Sequence, residues 1–194
     1  MNYLEIFGLI IGLIYLWLEY RASIYLWAAS IIMPAINLKV YFDAGLYADF
    51  GIDIYYLLIA IYGYFAWRYG LGKAKKEKRE ALQVSHTPLR QIPILIAVLL
   101  LLWAAISFVL IRFTDSTVPY ADAFTTATSI VAMWMLARKQ AEQWLVWIIV
   151  DAVSAALYAY KGLYLYSGLY AIYTVIAYFG YLRWLKLIPA NDND

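Results

Sequence analysis

Long apolar runs, broken by short polar stretches, fill almost the whole of this chain. A bilayer core about 30 Å thick needs about 20 apolar residues per helix. On that criterion helical spans are predicted at 4–20, 23–42, 51–69, 92–112, 121–137, 143–160 and 164–185. Between the third and fourth lies GLGKAKKEKREALQVSHTPLRQ, the one long polar stretch. The first apolar run has no basic segment before it and no small-residue cleavage site after it, so it reads as a span rather than a signal peptide.

Composition agrees with this pattern. Hydrophobic residues make up 65% and charged residues 14%, with a mean hydropathy of +0.68. A soluble domain is about half apolar and a quarter charged, so too few polar groups remain here to cover a water-facing surface. The expected class is an all-α integral membrane protein with seven transmembrane helices. With no cysteine, disulfides, thiolate metal sites and cysteine nucleophiles are excluded. The single histidine, His86, sits in the polar stretch, and no zinc motif can be built around it.

Charge placement sets an expected orientation. Arg68, Lys73, Lys75, Lys76, Lys78, Arg79 and Arg90 cluster around the polar stretch, and basic loops stay in the cytoplasm. Alternation from there puts Arg21, Arg138, Lys139, Arg183 and Lys186 inside, with Lys161 as the exception. The N-terminus is then outside and the C-terminus cytoplasmic. The basic run itself reads as a solvated linker, with a nucleic-acid or lipid-headgroup patch as the lesser alternative.

The chain also repeats itself. Gly45-Leu46-Tyr47 recurs as Gly162-Leu163-Tyr164, 117 residues on. The same offset pairs Trp17 with Trp134, Arg21 with Arg138, Trp27 with Trp144, Gly51 with Gly168, Tyr56 with Tyr173, Gly63 with Gly180 and Trp67 with Trp184. The predicted organisation is a first three-helix repeat over 1–70, a basic loop and linker helix over 71–117, a second repeat over 118–187, and a tail over 188–194. The extra fourth span restores the orientation of an odd repeat, which predicts parallel copies about an axis along the membrane normal. Duplicated halves of this kind point to a transporter with its substrate near the midplane.

Most charged residues fall at helix ends. Glu19, Lys39, Asp49, Asp53, Asp122 and Lys161 are expected to reach water there, with Asp53 and Asp122 as first-turn acids that complement the helix dipole. Asp151 differs, because it lies mid-span in WLVWIIVDAVSAALYAY. A charge at the bilayer centre costs about 3 kcal/mol on insertion scales and usually faces a cavity. Trp144 and Trp147 precede it by two helical turns and one, on the same face. A carboxylate above two indoles suits a flat, cationic ring through stacking and countercharge. The repeat places Pro34 opposite Asp151 and Ser30 opposite Trp147, so the copies disagree where the ligand is expected. Asn37, Thr126, Ser129 and Tyr173 complete the candidate binding set, while Thr128 reads as helix packing. No nucleotide loop or proton-relay run is present, and no cofactor or catalytic residue is expected. An intramembrane enzyme using Asp151 is the reading from another class; a cation channel fits less well, because one asymmetric acid beside indoles makes a poor filter.

With the Trp-x-x-Trp-x-x-x-Asp segment in view, the sequence resembles the Pnu family of bacterial vitamin transporters. The resemblance extends through Leu46-Tyr47-Ala48-Asp49, Asp122-Ala123-Phe124-Thr125-Thr126, Ala137-Arg138-Lys139, Glu142-Gln143-Trp144 and Lys161-Gly162-Leu163-Tyr164. It implies a SWEET-like 3+1+3 arrangement and facilitated diffusion of an unphosphorylated vitamin, trapped later by a cytoplasmic kinase. Alternating access is expected from rocking of the two bundles. Nicotinamide riboside members carry Asn in place of Asp151, Asn in place of Met33 and Gln in place of Met133. These departures favour the thiamine branch, PnuT, with nicotinamide riboside as the alternative substrate. The lipid bilayer is the other partner, no nucleic acid is expected, and the sequence is compatible with a homo-oligomer.

Overall fold

The computed structural model describes residues 3–43, 47–70 and 81–189; the side chains of 3–10, 33, 36, 37, 39–41, 43 and 47–49 lie outside the described set. Among the described residues the chain forms seven α-helices: α1 Tyr3–Tyr20, α2 Leu26–Asp43, α3 Tyr47–Tyr69, α4 Ile92–Phe113, α5 Pro119–Ala137, α6 Gln143–Tyr160 and α7 Tyr164–Leu185. Each lies within a few residues of a predicted span. Among the described residues four segments, Phe50–Tyr69, Leu89–Phe113, Gln143–Tyr160 and Tyr164–Leu185, are long and apolar enough to cross a membrane. The starts of α4 and α5 follow from Pro93 and Pro119, whose fixed φ and missing N–H suit a first turn.

The chain divides into two compact units, Met1–Gln83 and Val84–Asp194. In the first, α2 packs along α3 and more lightly against α1. In the second, α6 packs along α7, α4 along α5, and α5 on α6. Trp103 ties α4 to α5 by donating its indole N–H to the Tyr120 carbonyl at 2.8 Å, with its ring edge-on to Phe124.

The 117-residue offset is visible in the backbone of both units. The α1–α2 turn passes through Ala22 at φ 50° and the α5–α6 turn through Lys139 at φ 58°. At the first turn, Ala22 N–H donates to the Glu19 carbonyl and Ser23 N–H to the Leu18 carbonyl. At the second, Lys139 N–H donates to Leu136 and Gln140 N–H to Met135. Both are the double closure that ends a helix on a left-handed residue. Arg21 stands over Trp17 and Arg138 over Trp134, at 4.9 and 5.8 Å from the ring centres.

The same offset governs side-chain packing. Trp27 meets Trp67 edge-to-face at 5.5 Å, and Trp144 meets Trp184 edge-to-face at 5.9 Å. All four indoles are buried. Gly63 lies beneath Trp27 and Gly180 beneath Trp144, so closely that a Cβ at either position would collide with the ring. Each unit is thus closed by one repeated device, in which a glycine on its last helix admits the indole of a neighbouring helix.

Four predicted placements change. Glu19 and Asp53 do not reach water; they are 2% and 8% exposed, because helix packing within the first unit covers them. Lys161 does not simply reach water at a helix end, since its ammonium lies 3.0 Å from Asp122. Asp122 also accepts from the Ser116 hydroxyl at 2.8 Å, so this acid pins two loops as well as complementing the α5 dipole. Finally, the linker is not solvated throughout. Residues 71–80 lie outside the described set, but Ser85 N–H donates to the Lys139 carbonyl, and Ala141 N–H donates to the Ser85 carbonyl. Glu142 accepts from the Thr87 amide at 2.7 Å and hydroxyl at 2.8 Å, and His86 Nδ1 lies 2.6 Å from its other oxygen. Burial pushes the Glu142 carboxyl up, but these hydrogen bonds outweigh it and hold the group below its ordinary value.

Candidate substrate site in the second unit

The α6 sequence puts Trp144, Trp147, Asp151, Ser154 and Tyr158 at alternating spacings of three and four, which is one helical face. That face turns inward against α7: Trp144, Asp151 and Ser154 are buried, while Leu145, Ile149 and Ala152 on other faces are exposed. Asp151 is 8% exposed. Tyr170 and Tyr173 of α7 lie within electrostatic range of its carboxylate.

A wall of tyrosines leads to this acid. Tyr158 is stacked between two rings of α7, Tyr166 at 5.5 Å and Tyr170 at 5.2 Å. Tyr173 stands edge-on to Tyr170 at 5.8 Å. The series runs from Tyr166, which is 47% exposed, to the buried Asp151. Rings in this order present both π-faces and phenol hydroxyls, the surface that a flat heteroaromatic ligand can use.

The predicted residues separate into three groups. Asp151, Trp147 and Tyr173 come together on the α6–α7 face. The Trp147 indole N–H is buried with no acceptor among the described residues, as are those of Trp144 and Trp27, so the unpaired donor does not by itself set Trp147 apart. Trp144 is occupied by packing: one ring face covers Gly180 and Trp184 meets its edge. Its repeat mate Trp27 packs in the same way. Thr126 and Ser129 spend their hydroxyl hydrogens on their own helix, donating to the Asp122 carbonyl at 2.9 Å and the Thr125 carbonyl at 2.8 Å. Thr128 does likewise, as a packing role requires. The side chain of Asn37 lies outside the described residues.

Tyr158 and Tyr166 were not predicted. Tyr158 could have been found as the residue two turns beyond Asp151; Tyr166 carries no such signal, because it is placed by the turn at Gly162, where φ is +74°. A recess of about 570 Å3 between α4, α5 and α6 is lined by Phe124, Thr128, Met135, Val146 and Ile149 among others, and not by Asp151. Its walls are apolar and lie on another face of α6, so it is not the counterpart of the acid-bearing site.

Comparison with known proteins identifies the family and the fold. Residues 2–186 match the model of the nicotinamide mononucleotide transporter family. The nicotinamide riboside transporter PnuC of Escherichia coli is 24% identical across 96% of this chain and 86% of its own length. The riboflavin/roseoflavin transporter RibM of Streptomyces davaonensis is 28% identical across 93% of this chain and 83% of its own length. A crystal structure of the vitamin B3 transporter PnuC superposes with a TM-score of 0.66, at 22% identity over 92% of this chain and 78% of that one, a likeness of fold. These relatives carry nicotinamide riboside or riboflavin, so the predicted assignment to the thiamine branch gains no support from them. The chain belongs to the nicotinamide mononucleotide transporter family.

Proposed function

We propose that the protein carries nicotinamide riboside across the membrane by facilitated diffusion, with the α6–α7 face of the second unit as its binding surface. The observation that carries this reading is the family match over residues 2–186; Asp151, an acid buried in mid-helix near Tyr170 and Tyr173, is the reason for choosing this surface. Nicotinamide riboside has a flat pyridinium ring with a fixed positive charge. The carboxylate would balance that charge, Trp147 would stack on the ring or donate to its carboxamide, and Tyr173 and Tyr170 would receive the ribosyl hydroxyls. The relatives named above support a vitamin substrate of this class. Seven spans in a 3+1+3 arrangement, with α4 as the connector and the basic loop in the cytoplasm, complete the proposal. Phosphorylation in the cytoplasm would retain the vitamin once inside.

The test is a thermal-shift panel on purified protein with nicotinamide riboside, thiamine and riboflavin. Stabilisation by nicotinamide riboside at the lowest concentration supports the proposal. Stabilisation by thiamine alone would return the assignment to the charge argument from Asp151, and stabilisation by riboflavin alone would remove the need for a countercharge.

A further inference from the structure

The recess between α4, α5 and α6 takes no part in the acid-bearing site. On α4 it is lined by Ile92, Leu95, Ile96 and Leu99, and on α5 by Phe124, Thr128, Val131 and Met135. Spacings of three and four put each set on one helical face, so the two faces form a slot along the helices. Thr128, Val131 and Met135 are buried and make its floor, while Ile96 and Ile149 are about half exposed and make its rim. The Thr128 hydroxyl donates to the Phe124 carbonyl, so the floor keeps no hydrogen for a polar ligand.

The two ends of the slot differ. From Phe124 to Met135 the α5 axis rises about 16 Å, close to one leaflet of a bilayer core about 30 Å thick. At the inner end Phe124 is backed by Trp103 of α4. At the other end the lining turns polar, with His86, Thr87 and Glu142. This mouth is held in shape: Ser85 N–H donates to the Lys139 carbonyl, and Gln140 Nε2 donates to Gln91 Oε1 at 2.8 Å. The Glu142 oxygens are engaged by His86 and Thr87. Lys139 lies in the turn bonded to Ser85, and the exposed Arg90 lies between Leu89 and Ile92, which both line the recess. Arg138 stands over Trp134 instead. Two cations against one carboxylate leave the mouth positive whatever the state of His86.

We infer that this recess holds one acyl chain of an anionic phospholipid, with the headgroup at Arg90 and Lys139 and the chain running along α4 and α5 to Phe124. A chain fills the slot with apolar contacts, whereas the hydroxyls of a vitamin would be buried there unpaired. Basic residues at the membrane surface attract anionic headgroups, and the mouth places them where such a chain would enter. The inference rests on the membrane setting of the family and is independent of which vitamin is carried.

Native mass spectrometry of the full chain in a mild detergent tests it, with phosphatidylglycerol and phosphatidylcholine of identical chains. The wild type should retain one phosphatidylglycerol per chain, and about tenfold less phosphatidylcholine, as two basic residues beside an anionic headgroup imply. Arg90→Gln should bring the first lipid down towards the level of the second. Ile96→Trp, which sets a ring into the slot from its rim, should lose the lipid. Leu101→Trp, at an exposed position of α4 outside the recess, should retain it. Ile149→Trp enters the slot from α6 and takes the place of Ile96→Trp should that variant fail to fold. Equal retention of phosphatidylglycerol by wild type and the rim variants overturns the inference, as does equal retention of the two lipids by the wild type. A lipid-free assembly of several chains that Ile96→Trp dissociates would also overturn it, by putting another copy of the chain in the recess.

Discussion

The ring of Trp144 lies over Gly180, where an added Cβ would come within 2.7 Å of the indole. Trp27 covers Gly63 in the same manner in the other unit. Overpacking at such a contact costs about 1–3 kcal/mol. Gly180→Ala and Gly63→Ala should each lower the thermal midpoint, and by similar amounts. Gly168 and Gly51 share the same helices, and a Cβ added at either would meet nothing within 4 Å, so they provide the controls. Their change to alanine should be neutral or stabilising by up to about 1 kcal/mol, since glycine is a poor helix former. Equal effects at all four positions would refute the packing role of the two indoles.

The α1–α2 turn contains a second prediction. Ala22 holds φ at 50°, a conformation that costs an L-residue about 1–2 kcal/mol and glycine little. Ala22→Gly should raise the midpoint of thermal unfolding, after allowance for the greater freedom of glycine in the unfolded chain. A decrease would show that the alanine methyl contributes packing that exceeds the strain.

Glu142 gives a pH dependence of definite sign. Burial opposes ionisation of its carboxyl, yet His86 and Thr87 hold the folded-state value below the ordinary one. A depressed acid contributes stability that is fully present above its unfolded pKa and is lost as pH falls through the folded one. The thermal midpoint should therefore fall on acidification below the ordinary carboxylate range. In Glu142→Gln the midpoint should be lower at neutral pH and less steep in that acid window. Parallel curves for the two proteins would show that this carboxyl does not hold residues 84–91 to the α5–α6 turn.

Asp151 is predicted to act through charge and hydrogen bonding together. Asp151→Asn keeps a polar group of the same shape and loses the countercharge, so affinity for a cationic vitamin should fall about tenfold, or about 1.4 kcal/mol. Asp151→Leu removes both and should abolish measurable binding in a calorimetric titration while leaving the fold intact, because leucine is at ease in a membrane-spanning helix. Trp147→Ala should weaken binding with little effect on stability, and Trp144→Ala should do the reverse, because its ring is spent on Gly180 and Trp184.

Much of the architecture was legible in the sequence because lipid imposes a long apolar run on each helix, and the helix bounds followed those runs. The repeat was legible for a related reason: Trp27, Gly63 and Trp67 recur as Trp144, Gly180 and Trp184 because each set forms one close contact that tolerates few other residues. Asp151 stood out by its depth alone. What the sequence hid was partnership. Glu19 sits near a helix end, as a snorkelling residue would, and only the packing of α1 on α2 shows it buried beside Tyr15. Trp144 and Trp147 share one face, so spacing could not show that the first of them packs on Gly180 and Trp184. The tyrosine wall depends on the α6–α7 turn, which helical periodicity within either element does not encode.

The most direct test is counterflow in liposomes loaded with unlabelled nicotinamide riboside and diluted into a trace of labelled compound, without ATP or an imposed ion gradient. The account predicts transient accumulation of label by the wild type, reduced in Asp151→Asn and absent in Asp151→Leu. No accumulation by folded wild-type protein, or equal accumulation by all three, would contradict it.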